Sequence, residues 1–370
     1  MREAKCKYFG KCGGCTTQHI EYELQLENKR KLVSKLLNYE DIKVFYDNEY
    51  NYRNRMDFVF HPNGIGLRKK GTWDQVIEID ECLISNIRVN ELIKEIKHFF
   101  KEVDAFDIRK HTGTFRYAVI RTPKSDSSIS FVLNTDSMKL EEAGEKIKEF
   151  ANITTANNVI VTYVPATTDM SIGEEYYIIK GKDTLKDNLL EKSFNYPIQG
   201  FFQNNTKMAE KMLDYSNQIL KNYNTKNAAL LDLYGGVGTF GIINSELFKE
   251  VIIIENIKLS IESANENIKE NNIKNIKTVL LDAKNLKKLK FIQPLFVITD
   301  PPRSGMHPKT IEQLNILKPE IILYVSCNVE QLAKDIIKLK DYKIKSAAIF
   351  DLFPQTNHIE VIIELVKQKQ

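Results

Sequence analysis

The stretch Asp232-Leu233-Tyr234-Gly235-Gly236-Val237-Gly238-Thr239-Phe240-Gly241 follows the apolar run "AALL" and leads into "IIN". Gly236, Gly238 and Gly241 form a G-x-G-x-x-G pattern after a strand and at the start of a helix, and Glu255 ends the next apolar run, "EVIIIEN". In that setting the glycines let the backbone approach a nucleoside-containing cofactor, and a carboxylate at the next strand end can accept hydrogen bonds from both ribose hydroxyls. The pattern alone fits NAD, S-adenosylmethionine or a tight turn that binds nothing.

Working outward, "KTVLLDA", "LFVITDPP" and "EIILYVSCN" read as buried strands. They alternate with helical patterns such as "SIESANENIKEN" and "EQLAKDIIKL", the signature of a mostly parallel, Rossmann-like α/β sheet. Ligands in such sheets bind beyond the C-terminal strand ends, and three of those ends carry unusual chemistry. Asp300 stands before Pro301 and Pro302, which lack the N–H needed to continue a ladder, so the chain leaves the sheet with the carboxylate at its tip. Cys327 ends the run "YVSC", where a lone thiol is either packing or a nucleophile. His358 and Glu360 interrupt the last apolar run, "FPQTNHIEVIIEL", and a carboxylate between Ile359 and Val361 is expensive unless solvated or paired.

Towards the N-terminus the grammar differs. The segment "IEYELQLENKRKLVSKLLN" reads as an amphipathic helix, and from about Val44 to Asp80 the pattern becomes β-like, with a hairpin signal at Asn63-Gly64. Arg53, Arg55, Arg68, Lys69 and Lys70 are interleaved there with Tyr52, Phe58 and Trp73, which fits a surface that grips phosphates and stacks bases as well as it fits a solvated strand face. A helix "NELIKEIKHFFKEV" and strands "FRYAVIRT", "SISFVLNT", "NVIVTYV" and "EYYIIKG" follow, with a break expected between residues 191 and 199. The expected organisation is an N-terminal cysteine region and helix over 1–43, a mixed α+β, β-rich central domain over 44–195, and the α/β domain over 196–370.

Four of five cysteines fall in the first quarter of the 370 residues: Cys6, Cys12, Cys15 and Cys82. Glycines in "CKYFGKCGGC" allow the loop to curl so that several thiolates face one point. Four sulfurs suit tetrahedral zinc or an iron-sulfur cluster, and a single tight C-x2-C knuckle leans away from ordinary zinc. Composition is that of a globular chain, 42% hydrophobic and 28% charged, with 53 Lys and Arg against 49 Asp and Glu, a balance too mild to dictate a partner. No apolar run approaches the roughly 18 residues of a membrane span, and the N-terminus lacks the apolar core of a signal peptide. A cytoplasmic protein with reduced thiols is expected.

Taken together, "CKYFGKCGGCTTQH" with Cys82, "YRNRMDF", "FFQNN", "DLYGGVGTFG", "DPPRSG", "YVSCN" and "FPQTNHIE" resemble the RNA (uracil-5-)-methyltransferases, in particular their iron-sulfur members. The resemblance covers nearly the whole chain. It implies an S-adenosylmethionine-dependent methyltransferase domain, an RNA-binding central domain, and formation of 5-methyluridine in a loop of tRNA, at T-loop position 54, or of 23S rRNA. It further implies that Cys327 is the nucleophile and Glu360 the base. Gln203, Tyr234, Gly236, Gly238, Thr239, Glu255, Asp282 and Asp300 would line the cofactor and uracil pocket, and Cys6, Cys12, Cys15 and Cys82 would hold a 4Fe-4S cluster. Val329 stands where the family has proline, and five residues before Cys6 leave no room for the small RNA-binding barrel found in many members. In such chemistry a thiolate attacks carbon 6 of uracil, so a site that favours ionisation of Cys327 below the ordinary thiol value of about 8.5 is expected. An exocyclic amino methyltransferase, which would leave Cys327 idle, and a non-catalytic iron-sulfur RNA-binding protein are the competing readings.

Overall fold

The computed structural model describes residues 2–368. A cysteine-bearing loop leads into α1 (Tyr22–Leu37) and the short strand β1 (Ile42–Phe45). Next come β2 (Arg55–His61), β3 (Gly64–Arg68), β4 (Val76–Glu78), α2 (Ile87–Phe99), β5 (Phe115–Arg121), β6 (Ser128–Asn134), α3 (Leu140–Ile153), β7 (Asn158–Val164) and β8 (Glu175–Lys180). Their strands form a seven-stranded sheet in the order β4-β3-β2-β5-β6-β7-β8, in which only β6 and β7 run parallel. Phe58, Phe60 and Phe131 point to one face and pack under Leu92, Ile93 and Ile96 of α2 and Ile147 and Phe150 of α3. The opposite face carries a small apolar patch, Val59, Tyr117, Val119, Val132 and Val164, with Arg55, Asp57 and Arg68 beside it.

A hairpin of β9 (Thr184–Leu189) and β10 (Lys192–Pro197) follows. It occupies the stretch where the sequence suggests a simple break. The C-terminal part then runs α4 (Thr206–Lys221), β11 (Ala229–Leu233), α5 (Thr239–Asn244), β12 (Glu250–Glu255), α6 (Lys258–Glu270), β13 (Ile276–Leu280), β14 (Leu295–Thr299), α7 (Pro308–Leu317), β15 (Ile321–Ser326), α8 (Val329–Lys338), β16 (Tyr342–Phe350) and β17 (Glu360–Lys367). Its sheet has eight strands in the order β1-β16-β17-β15-β14-β11-β12-β13. The central strands are apolar throughout because both faces are covered: Leu230, Ile253, Ile298 and Leu323 face α4 and the hairpin, while Leu231, Ile252, Val297 and Ile322 face α1, α7 and α8.

Two pairings decide where the chemistry falls. β17 runs antiparallel between β15 and β16, with Val361 opposite Ser326 and Glu360 opposite Phe350. The start of β17 therefore lies at the same edge as the C-terminal ends of the parallel strands. β1, from the N-terminal region, adds in parallel to β16 with Ile42 opposite Ala347, so the expected boundary near residue 44 passes through a strand of the C-terminal sheet.

Candidate active site

Order reverses at β11, whose parallel neighbours are β12 and β14, and a cavity opens beyond these strand ends. Gln203, Tyr234, Gly236, Thr239 and Asp300 line it, together with apolar residues that include Phe201, Phe202 and Met212. Gly236 has a φ of +54°, and a Cβ there would meet nothing within 4 Å, so the turn leaves open space above its backbone. A Cβ on Gly241 would come within 2.8 Å of Ile253, so only glycine lets the first turn of α5 lie against β12. Gly238 opens α5 as its N-cap. Glu255 braces the turn by accepting hydrogen bonds from the Gly236, Asn256 and Ile257 amides at 3.1, 2.7 and 2.9 Å. Asp282 accepts from the Lys284 amide and pairs with the Lys284 ammonium at 2.8 Å, which holds its carboxyl below the ordinary range. Gly238, Glu255 and Asp282 are thus absent from the wall of this cavity.

Asp300, Cys327 and Glu360 meet at the same edge. Asp300 is partly exposed, yet burial of its carboxyl pushes it up to about 7. Burial, then the charge of Asp300, raises Glu360 well above the usual carboxylate range. The Cys327 thiol is pushed up to about 11, first by burial and then by Glu360 and Asp300, with Arg303 pulling the other way. This runs against the expectation from sequence that the site favours the thiolate: burial of the sulfur, reinforced by two carboxyls, outweighs one guanidinium. Only a structure shows that Glu360 and Asp300 face the thiol, since the antiparallel turn of β17 is not written in local periodicity.

Sequence reasoning passed over three residues that build this edge. Asp232, 1% exposed, accepts from the Gly241 amide at 2.8 Å, and burial pushes its carboxyl up to about 7. A polar residue inside "ALLDL" was the available signal. Asn328 caps α8 by accepting from the Gln331 amide at 3.2 Å and donates to the Arg303 carbonyl at 2.9 Å, which ties the thiol loop to the Asp300 loop. Gln355 anchors the loop before Glu360 to the N-terminal segment. Val329 is the first residue of α8 and is buried. The N–H of that position has no partner in a helix, so valine and proline both fit there and the loop does not depend on which is present.

The glutamine of "FFQNN" is held from two sides. The Gln203 carbonyl accepts from Asn54 Nδ2 at 3.3 Å, the Asn54 amide donates to the Asn204 carbonyl at 2.9 Å, and Asn205 Nδ2 donates to the Leu352 carbonyl at 3.1 Å. Beside Asn204 an open groove of about 720 Å³ crosses the uncovered face of the central sheet, lined by Arg53, Arg55, Arg68, Lys69 and Lys70. Arg55 and Arg68 are paired with Asp57 and Asp169, and Lys70 has no ion pair among the described residues. Of the interleaved aromatics only Trp73 is exposed: Phe58 lies in the core, and Tyr52 donates to the Pro354 carbonyl.

Cys6, Cys12, Cys15 and Cys82 line one small cavity with Tyr8 and Met56. Burial pushes the first three thiols up, Cys15 to about 12, a balance that a bound cation would reverse. Among the described residues no group of three or more His, Cys, Asp or Glu is arranged to hold a single metal ion. The cavity offers four thiols, a donor set that suits an iron-sulfur cluster or a four-thiolate zinc site. Among the described residues, no helix is long and apolar enough to cross a membrane.

A doubly wound sheet with a nucleoside-type cavity at its switch point and a thiol flanked by carboxyls defines a group-transfer enzyme. Residues 21–368 match the tRNA (Uracil-5-)-methyltransferase family, and the chain belongs to that family. It is 32% identical to the tRNA (uracil(54)-C(5))-methyltransferase of Pyrococcus abyssi over 98% of this chain and 85% of that protein. An uncharacterized RNA methyltransferase of Caldanaerobacter subterraneus is 33% identical over 97% of this chain and 84% of its own length. The crystal structure of the P. abyssi enzyme in complex with S-adenosyl-L-homocysteine superimposes with a TM-score of 0.81 and 30% identity, covering 96% of this chain and 86% of that one.

Proposed function

We propose that this cytoplasmic protein methylates carbon 5 of a uridine in RNA, using S-adenosylmethionine, and that its substrate is the T-loop uridine at position 54 of tRNA. The observation that carries this reading is the meeting of a thiol and two carboxyls beside a glycine turn in a chain whose Pyrococcus relatives are named for that position. Those names favour tRNA over the 23S rRNA alternative. The cofactor supplies an electrophilic methyl group on a sulfonium cation; Gln203, Tyr234, Gly236, Thr239 and Asp300 would hold it and the uracil, together with Gly238 at the start of α5, Glu255 at the end of β12 and Asp282 just beyond β13.

Cys327 gives up its proton to solvent, aided by the positive charge of Arg303, and its sulfur bonds to carbon 6. The electron pair of the 5,6 double bond moves onto the C4–C5–O4 enolate so that carbon 5 becomes nucleophilic and bonds to the methyl group, whose bond to the sulfonium sulfur would break with its electrons staying on sulfur and a neutral thioether leaving. Glu360, once ionised and with its proton affinity raised by burial, then removes the hydrogen on carbon 5; that pair re-forms the double bond, and the carbon–sulfur bond breaks with its electrons returning to Cys327. The target base must first leave its stack, at a few kcal/mol, which favours loop uridines. Arg53, Arg55, Arg68, Lys69 and Lys70 line the groove that would track the RNA backbone. Cys6, Cys12, Cys15 and Cys82 are assigned to a 4Fe-4S cluster that fastens the N-terminal loop to the central sheet.

The test is RNA containing 5-fluorouridine, in which carbon 5 cannot shed its substituent as a proton. With S-adenosylmethionine the wild type should form a stable adduct through Cys327, and Cys327→Ala should form none. Glu360→Gln should attack and methylate normal RNA but release it some 10²–10⁴-fold more slowly. An adduct that survives Cys327→Ala would assign the nucleophile elsewhere.

A further inference from the structure

The residues between β16 and β17 carry Glu360 to the thiol, and they are gripped from outside the C-terminal sheet. Tyr22 and Lys29, on one face of α1, bind Asp351 at 2.7 and 2.6 Å. Tyr52 donates to the Pro354 carbonyl at 3.0 Å. The most heavily bonded residue of the loop is Gln355, which is 0% exposed. Its carbonyl accepts from the Thr16 and Thr17 amides at 2.9 and 3.2 Å. Its amide donates to Gln25 Oε1 at 3.3 Å, its Oε1 accepts from Gln25 Nε2 at 3.1 Å and Arg2 at 3.3 Å, and its Nε2 donates to Glu49 Oε2 at 2.7 Å.

The backbone at Gln355 has a φ of +68°, a form that side chains other than glycine and asparagine rarely adopt. Such a conformation persists only where the surroundings over-determine it, and here two segments do so. Thr16 and Thr17 follow Cys15 directly, and Gln25 in turn binds Thr17 Oγ1 and the Thr17 and Ile20 carbonyls. A loop held in an unfavourable backbone form by an N-terminal segment takes up its position only when that segment is in place.

We infer that Gln355 is a positioning residue for the proton-removal step: by locking residues 351–359 onto the cysteine segment and α1, it sets the carboxyl of Glu360 against carbon 5. The inference rests on the reading of Glu360 as the base. Attack by Cys327 uses the ends of β14 and β15, which Gln355 does not touch, so damage to this lock should fall on elimination and spare attack.

The experiment follows single turnovers on T-arm RNA with wild type, Gln355→Ala, Gln355→Asn and Gln25→Ala. In both alanine variants the methylated RNA should accumulate as a covalent complex and leave roughly a hundredfold more slowly, the scale of a reacting group misplaced by about 1 Å. KM for RNA and the rate of adduct formation with 5-fluorouridine RNA should stay at wild-type values, and Gln355→Asn, which keeps an amide and tolerates positive φ, should recover part of the release rate. Gln25→Ala, remote from the reacting atoms, decides the matter if Gln355→Ala does not fold. Wild-type release from folded alanine variants, or equal loss of attack and release, would overturn the inference. No adduct with the wild type would instead bring down the uridine reading beneath it.

Discussion

The two sheets put their chemistry in different places. In the eight-stranded sheet both faces are sealed by helices, and every reactive group lies on the edge where strands end. In the seven-stranded sheet α2 and α3 seal one face only, and charged residues spread across the other. Edges concentrate a few groups in a low-dielectric corner, where each shifts the others. An open face keeps its charges in water, where each acts nearly alone. Single substitutions at the edge should therefore have large, pH-dependent effects, and those on the face small, additive, salt-dependent ones.

Beyond Cys327 and Glu360 themselves, the largest effect should come from Asp300→Asn, which removes a charge from the corner and should lower kcat/KM on the order of 10²–10³-fold, as expected of a group aimed at the reacting base. The same variant tests the corner through stability. A carboxyl raised to about 7 in the native state but ordinary in the unfolded chain favours folding below the unfolded value and loses that contribution as pH rises through about 7. Thermal melts should therefore show Asp300→Asn above wild type at pH 8 and level with it at pH 4. An advantage at both pH values would mean that the charge is not what destabilises the corner.

Next in size is the thiol. With Cys327 pushed up to about 11, its alkylation by iodoacetamide at pH 7, read by mass spectrometry of its peptide, should run roughly a hundredfold below that of a free thiol near 8.5 and climb steadily to pH 10. A plateau below pH 8.5 would return Cys327 to the thiolate-favouring site that the sequence suggests. On the open face, Lys70→Ala should weaken RNA binding only a few-fold and flatten the slope of log affinity against log salt by about 0.7 to 0.9 for each phosphate it no longer neutralises. An effect that ignores salt would show that the groove is not an RNA track. The smallest change is expected of Val329→Pro, within about 1 kcal/mol in stability, since the first helical position suits either residue.

Legibility in the sequence follows the same division. Runs such as "ALLDL", "LFVIT" and "IILYVS" announce themselves because burial on two faces leaves no polar alternation, and the glycine turn, Asp300 and Cys327 mark the edge they end on. Gln203, Tyr234, Gly236 and Thr239 share one wall, and Glu255, at the end of the next strand, accepts from the turn amides. The elevated thiol was not legible, as it arises first from burial of the sulfur and then from the approach of residues 360 and 300, on two other strand ends. Phe58 and Trp73 look alike among basic neighbours, yet Phe58 sits on β2 with its ring turned to the sealed face, whereas Trp73 lies in the bend between β3 and β4 and stands in solvent.

The pairing of β1 with β16 has a consequence for how the chain assembles. The ribosome makes residues 42–45 well before their partners 347–350, so β1 has no partner strand until β16 emerges. Loop closure over such a span grows only slowly more costly with length, but until β16 emerges the waiting β1 is an open template for strands of other chains. A fragment cut at the boundary near residue 44 would leave the nine-residue β16 as the sheet edge in place of the four-residue β1. It should aggregate more readily than one that keeps α1 and β1, because a short edge strand is the poorer template.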